Sequence, residues 1–257
     1  MAASNRRVGI IGAGTIGTAI LQDILEQGLA EIDYVADASP DISTRLGNRG
    51  FAVLNSVDEA IERKVDLVIE TATPAVLSQI ATTVLKSGDL CAFSCTALSD
   101  TVLETAIFEQ CRSSGSRFYV PHGAILALDG LMDGRDVIET VTVTTSKSGN
   151  SLGTDESAEG LIYEGPTRDA CRFFPRNVNV HAAIALAGIG FDRTISRVIA
   201  VPGQLSMKHR LEVTGSGFSW DINVSSRSLG GVTGAYTPKS AVGSIRRILD
   251  GAAISVV

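Results

Sequence analysis

The sequence predicts an α/β fold: a doubly wound parallel sheet followed by a second domain of α+β type with a mixed or antiparallel sheet. Two observations carry this. Up to about residue 122, β-branched runs alternate with helical patterns, the rhythm of parallel strands joined by crossover helices. After Ala124, strand-like runs follow one another with fewer helices between them, which suits pairing of neighbours in one sheet. The expected boundaries are 1–122 for the first domain and 123–236 for the second. A last helix over about 237–257 is expected to pack back on the first.

Each element has a local reason. "RVGIIGAG" reads as a strand, and "TIGTAILQDILEQG" as a helix closed by Gly28. "IDYVADAS" is the second strand, and "SVDEAIERK" is a short helix capped by Ser56 with Glu59 three residues later. The strands "VDLVIETA" and "LCAFSCTA" flank the helix "PAVLSQIATTVLKSG"; the helix "DTVLETAIFEQCRSSG" and the strand "RFYVPHGA" complete the domain. In the second domain "VIETVTVTTSKSG" and "LIYEG" are strands, and "SKSGNSLGTDESAEG" is the expected exposed loop. Two helices, "TRDACRFF" and "NVNVHAAIALAG", are separated by Pro175. The strands "ISRVIAVPG", "HRLEVTG" and "FSWDINVSS" follow, the last two joined at a turn through Gly215 and Gly217. "YTPKSAVGSIRRIL" is the last helix.

The turn "GAGTIG" sets Gly12, Gly14 and Gly17 as G-x-G-x-x-G between a strand and a helix, with Thr15 and Ile16 inside it. In that context the first glycine permits the tight turn and the second lets backbone approach a pyrophosphate. The third lets helix and strand pack closely. The helix N-terminus adds unpaired N–H groups for phosphate. Asp37 ends the second strand and can accept hydrogen bonds from ribose hydroxyls while repelling a 2′-phosphate; no Arg follows it directly. The first domain is therefore Rossmann-type, with NAD expected over NADP. Ala72 and Thr73, at the end of a later strand, are expected to pass near the cofactor, and "SCTAL" and "PHGA" to approach its nicotinamide end.

Composition narrows the class. The net charge of −6 and the lack of a basic run argue against a nucleic-acid partner. No apolar run is long enough for a bilayer, and the N-terminus enters a strand with no signal peptide, so a cytoplasmic protein is expected. Cys91, Cys95, Cys111 and Cys171 make no CxxC pair. On one strand Cys91 and Cys95 would stand about 13 Å apart, too far for a disulfide. Reduced thiols are the expectation, and no metal site is read.

The polar start of the "NVNVHAAIALAG" helix stands out. Asn177 is expected as its N-cap; Asn179 comes too late to cap and is better explained by a ligand. The three histidines, His122, His181 and His209, are the natural proton carriers near neutral pH.

The chain resembles the L-aspartate dehydrogenase family. The resemblance is carried by "GIIGAGTIG", "SCTALSD", "VPHGAILALDGL", "EGPTRDACRFFPRNVNVHAAIALAGIGFDRT", "HRLEVTGSG" and "TPKSAVGSI", from the first strand to the last helix. It implies that Ala124 lines the NAD site through its backbone, that Asn179 contacts the cofactor near the nicotinamide, and that His209 is the active-site histidine. It also implies NAD-dependent oxidative deamination of L-aspartate to iminosuccinate, which can feed NAD biosynthesis. A homodimer formed through the second domain follows by analogy. His122 and His181 depart from the family's usual Ser and Ala; they are expected to face each other beside the substrate. Lys239 and Arg168 are possible carboxylate contacts. The alternatives are a dehydrogenase or imine reductase of the same architecture for another amino acid or dicarboxylate, and a non-catalytic NAD-binding sensor.

Overall fold

A computed structural model describes residues 6–229 and 233–249. The chain forms two units. Among the described residues the first runs to Pro121 and resumes at Ala241, and the second is His122–Ser240.

The first unit contains, in order, β1 (Arg7–Ile11), α1 (Thr15–Gln27), β2 (Glu31–Ala36), α2 (Pro40–Gly47), β3 (Val53–Leu54) and α3 (Val57–Glu62). It continues with β4 (Leu67–Glu70), α4 (Pro74–Val84), β5 (Asp89–Ala92), a 3₁₀ turn at Cys95–Ser99, α5 (Thr101–Ser114) and β6 (Phe118–Tyr119). Its six-stranded sheet has the order β3-β2-β1-β4-β5-β6, with every pairing parallel. This order reverses between β1 and β4, the switch point at which such sheets bind ligands. β4 is buried along its whole length, as a central strand covered on both faces must be.

The second unit contains α6 (Leu128–Asp133), β7 (Ile138–Lys147), α7 (Gly149–Leu152), β8 (Gly160–Pro166), α8 (Thr167–Phe173) and α9 (Asn179–Ala187). β9 (Thr194–Ala200), β10 (Ser206–Gly215) and β11 (Phe218–Arg227) follow, and then α10 (Thr237–Leu249). The five-stranded sheet runs β11-β10-β7-β9-β8. Only β7–β9 is parallel; the other pairings are antiparallel, with β10 and β11 joined as a hairpin. Alternate residues of β7 and β10, among them Val141, Val143, Leu211 and Val213, pack with Ile184 and Ala187 of α9. Arg135 closes the far end of α9 by donating to the carbonyls of Leu186 and Ala187. From Ala241 onward α10 belongs to the first unit, where Ala241, Ile245 and Leu249 share the buried cluster of Ile20, Leu21 and Ile24. Residues 250–257 of the expected helix lie outside the described residues.

Several expectations need correcting. α2, which the sequence reading did not include, begins at Pro40, because Pro fits its first turn and the Ser39 side chain accepts from the Ile42 amide. The strand read in "LCAFSCTA" ends at Ala92, so Cys95 sits in the 3₁₀ turn; all four cysteines are free. The segment after Ser146 is not a plain exposed loop. Lys147 is 3% exposed, and α7 buries Gly149 and Leu152. A Cβ on Gly149 would lie 1.9 Å from the Asp155 carbonyl, so this fold-back requires glycine.

Leu211 is fully buried between β7 and α9. Leu211→Ala is expected to destabilise the protein by about 2–5 kcal/mol in denaturant titration.

Candidate active site

The glycine turn is fastened from several sides. Gly12 takes a positive φ of 92°, and its amide donates to the Ala36 carbonyl at 2.8 Å. Thr71, which follows β4, donates through Oγ1 to the Gly12 carbonyl at 2.6 Å. A Cβ on Gly17 would lie 1.9 Å from that same carbonyl, so the turn and α1 touch through backbone alone. Gly14 is exposed with nothing within 4 Å of its Cβ direction, and Thr15 beside it is exposed as well. No acid stands in the first turn of α1. Open backbone at an uncharged helix start is what a dinucleotide pyrophosphate needs. Asp37 braces this turn: Oδ2 accepts from the Ala13 amide at 2.6 Å and Oδ1 from the Ser39 amide at 2.8 Å.

Glu70 is the feature of this unit that the sequence reading missed. It ends β4, fully buried. Oε1 accepts from the Ala72 amide at 2.7 Å and from Ser94 Oγ at 2.8 Å; Oε2 accepts from the Ser94 amide at 3.1 Å. One carboxyl thus ties together the loops after β4 and β5. Burial pushes it up to about 7, and its hydrogen bonds with Ser94, Ala72 and Phe93 offset only part of that. Ala72 and Thr73 are exposed, and Thr73 also caps α4 by accepting from Val76.

In the second unit the helix start differs from expectation. The cap position of α9 is Val178, and Asn177 lies one residue too early to cap it. The Asn177 side chain instead faces Lys147 Nζ at 3.3 Å. Asn179 begins α9 and is half-buried.

A chain of hydrogen bonds runs beneath His209. Thr167 Oγ1 donates to the Thr194 carbonyl at 3.0 Å and meets Ser196 Oγ at 2.8 Å. Ser196 Oγ meets His181 Nδ1 at 2.8 Å. His181 Nε2 meets Thr145 Oγ1 at 2.6 Å, and Thr145 Oγ1 meets His209 Nδ1 at 2.8 Å. A carbonyl can only accept and a hydroxyl has one proton, which fixes every direction. Thr167 gives its proton to the carbonyl, so Ser196 donates to Thr167. His181 must then donate from Nδ1, and Thr145 donates to His181 Nε2. His209 is left to donate from Nδ1, and its Nε2 carries the lone pair.

His181 is wholly buried with both ring nitrogens engaged, so it orients Thr145 and His209 and offers no nitrogen to a substrate. Its two ring nitrogens bond to Thr145 and Ser196, and His122 lies half-buried in the turn before Ala124. Burial, and then the charge of Lys147, lower His209 to about 3; burial holds His181 well below the usual range. Both rings are neutral near pH 7. Arg168 is taken by a two-pronged pair with Asp192 at 2.6 and 2.8 Å, and Lys239 is exposed on α10. Ala124 is buried. Among the described residues no three or more His, Cys, Asp or Glu side chains are grouped to hold a metal, and no helix is long and apolar enough to cross a membrane.

A parallel sheet with a glycine-turn nucleotide site, joined in one chain to a domain that presents an oriented imidazole, defines the class of dinucleotide-dependent oxidoreductases. Known sequences narrow it. The family described as "Homoserine dehydrogenase, NAD binding domain" matches residues 12–121, and "Aspartate dehydrogenase, C-terminal" matches residues 129–248. The L-aspartate dehydrogenase of Methanopyrus kandleri is 32% identical over 94% of this chain and 95% of its own. That of Methanosarcina barkeri is 34% identical over 81% and 83%. The crystal structure of aspartate dehydrogenase from Thermotoga maritima superposes with a TM-score of 0.76 at 25% identity, covering 98% of this chain and 99% of that one. The chain belongs to the L-aspartate dehydrogenase family.

Two outcomes test this geometry. Thr145→Val removes the middle hydroxyl at constant volume; turnover is expected to fall about 10–100-fold with NADH affinity unchanged, read by steady-state kinetics and fluorescence titration. Glu70, raised from 4.5 to about 7, binds its proton more tightly folded than unfolded. Its contribution to stability is fully present below pH 4.5 and is lost as pH rises through 7. From about pH 5 to about pH 8 the wild type should lose roughly 2 kcal/mol that Glu70→Gln does not, in unfolding titrations across pH.

Proposed function

We propose that the protein oxidises L-aspartate with NAD, giving iminosuccinate, which is released or hydrolysed to oxaloacetate and ammonia. The observation that carries this is His209 with its Nε2 lone pair set by the hydroxyl chain, in a domain of the aspartate dehydrogenase family. When bound, NAD accepts the hydride lost from the substrate Cα.

The protein's own residues do the rest. The turn from Gly12 to Gly17, with Thr15 and Ile16, takes the pyrophosphate on the amides of α1, while Asp37 supports the adenosine ribose and disfavours a 2′-phosphate. Ala72 and Thr73 line the remainder of the cofactor site in the first unit, and the family resemblance assigns cofactor contacts to the Ala124 backbone and Asn179. Hydride leaves only from a neutral amine, so the substrate ammonium must first lose a proton. Nε2 of His209 accepts it. A neutral imidazole with its lone pair at Nε2 suits this role better than holding a carboxylate, which needs a donor there. A sensor without turnover gains nothing from such an orientation.

We infer also that the enzyme works in the cytoplasm as a homodimer formed through the second unit. Edge strand β8 and helix α8 support this, with Leu161, Ile162 and Phe173 all exposed. Light scattering should return twice the chain mass.

The test of function is NADH formation from NAD with L-aspartate, beside D-aspartate, L-glutamate and NADP. L-aspartate with NAD should be preferred, and His209→Ala should lower kcat by about 10²–10⁴ without changing NAD binding. Preference for another amino acid would move the assignment to a sister dehydrogenase.

A further inference from the structure

Lys147 is the last residue of β7 and is 3% exposed. Strand alternation sets its side chain on the same face as Thr145, whose hydroxyl holds His209. Its Nζ donates to the Asn177 carbonyl at 3.4 Å and to Asn177 Oδ1 at 3.3 Å, partners that are neutral and distant. Among the described residues no carboxylate lies within ion-pair range of it. Burial alone lowers it, to about 8, so the amine still carries its charge near neutral pH. The titratable groups that feel this charge are His181 of α9 and His209 of β10, both lowered first by burial and further by this charge. β9 opposes Lys147 with Ala200, and the turn that carries Asn177 holds one charged side chain, the exposed cation Arg176, and no acid.

Buried ammonium groups are ordinarily paired with an opposite charge. Here an enclosed cation stands beside the reactive imidazole with none, and Asn177 next to it is partly exposed. We propose that Lys147, together with Asn177, is the carboxylate-binding group for the amino-acid substrate. This rests on the aspartate reading above and deepens it. A carboxylate on Nζ offsets the Lys147 charge, the smaller of the two causes that depress His209 after burial, and so favours protonation at Nε2.

Lys147→Met keeps the stem and removes the charge. Succinate, a dicarboxylate without an amine, reports binding independently of turnover. With the NAD-loaded enzyme, the calorimetric Kd for succinate and the KM for L-aspartate should each rise about a hundredfold while NAD affinity stays put. Asn177→Asp supplies an internal carboxylate to Nζ and serves if Lys147→Met does not fold. It should raise thermal stability and abolish succinate binding. If either folded variant binds succinate within about threefold of the wild type, Lys147 is structural and the proposal is overturned. If the wild type binds succinate, loses it in the variants, and does not oxidise L-aspartate, the carboxylate site stands and the activity reading fails.

Discussion

One hydroxyl proton governs the second unit. Thr145 Oγ1 lies within hydrogen-bond distance of two imidazoles and can donate to only one. Because the chain beyond His181 ends on the Thr194 carbonyl, Thr145 donates to His181, and His209 donates from Nδ1 to the Thr145 oxygen. The arrangement requires β7, β9 and β10 to sit side by side with α9 over them. Thr145 is on β7, Ser196 on β9 and His209 on β10, each reached by a short side chain. The mixed sheet thus does more than fill a core: its parallel β7–β9 pairing brings Ser196 within reach of a helix that also reaches Thr145.

The two units treat a buried ionisable group differently. Glu70 binds two loops together in the first unit by accepting from amide and hydroxyl donors, while burial raises it to about 7 against their opposing pull. Lys147 has only a neutral asparagine before it and keeps its charge. A satisfied buried group stabilises local backbone; a buried charge met only by neutral partners keeps a demand for an opposite charge.

The first unit was largely legible in the sequence because its signals are local. Gly12, Gly14, Gly17 and the strand before them lie within a few residues of one another, and backbone sterics fix what they do. α2 was not read at all, although Ser39 and Pro40 stand at the cap and first position of the helix the structure shows. The second unit was less legible, for its key contacts join distant positions. Nothing near His181 announces Ser196, and nothing near His209 announces Thr145. Assigning Asn177 as a cap was reasonable from spacing, yet the helix begins two residues later, since its side chain is occupied with Lys147. A signal for Lys147 was present. In "TVTVTTSK" the alternation that buries Val141, Val143 and Thr145 also points residue 147 inward, and a lysine at an inward position asks for a partner.

The last helix carries a consequence for biosynthesis. Ala241, Ile245 and Leu249 complete a core whose other members, from Val8 to Cys91, leave the ribosome long before them. All of His122–Ser240 is made in between. The nascent first unit therefore lacks Ala241, Ile245 and Leu249 of this core while the second is translated. Vectorial folding here runs outside in: the inserted unit can finish before the unit that began first.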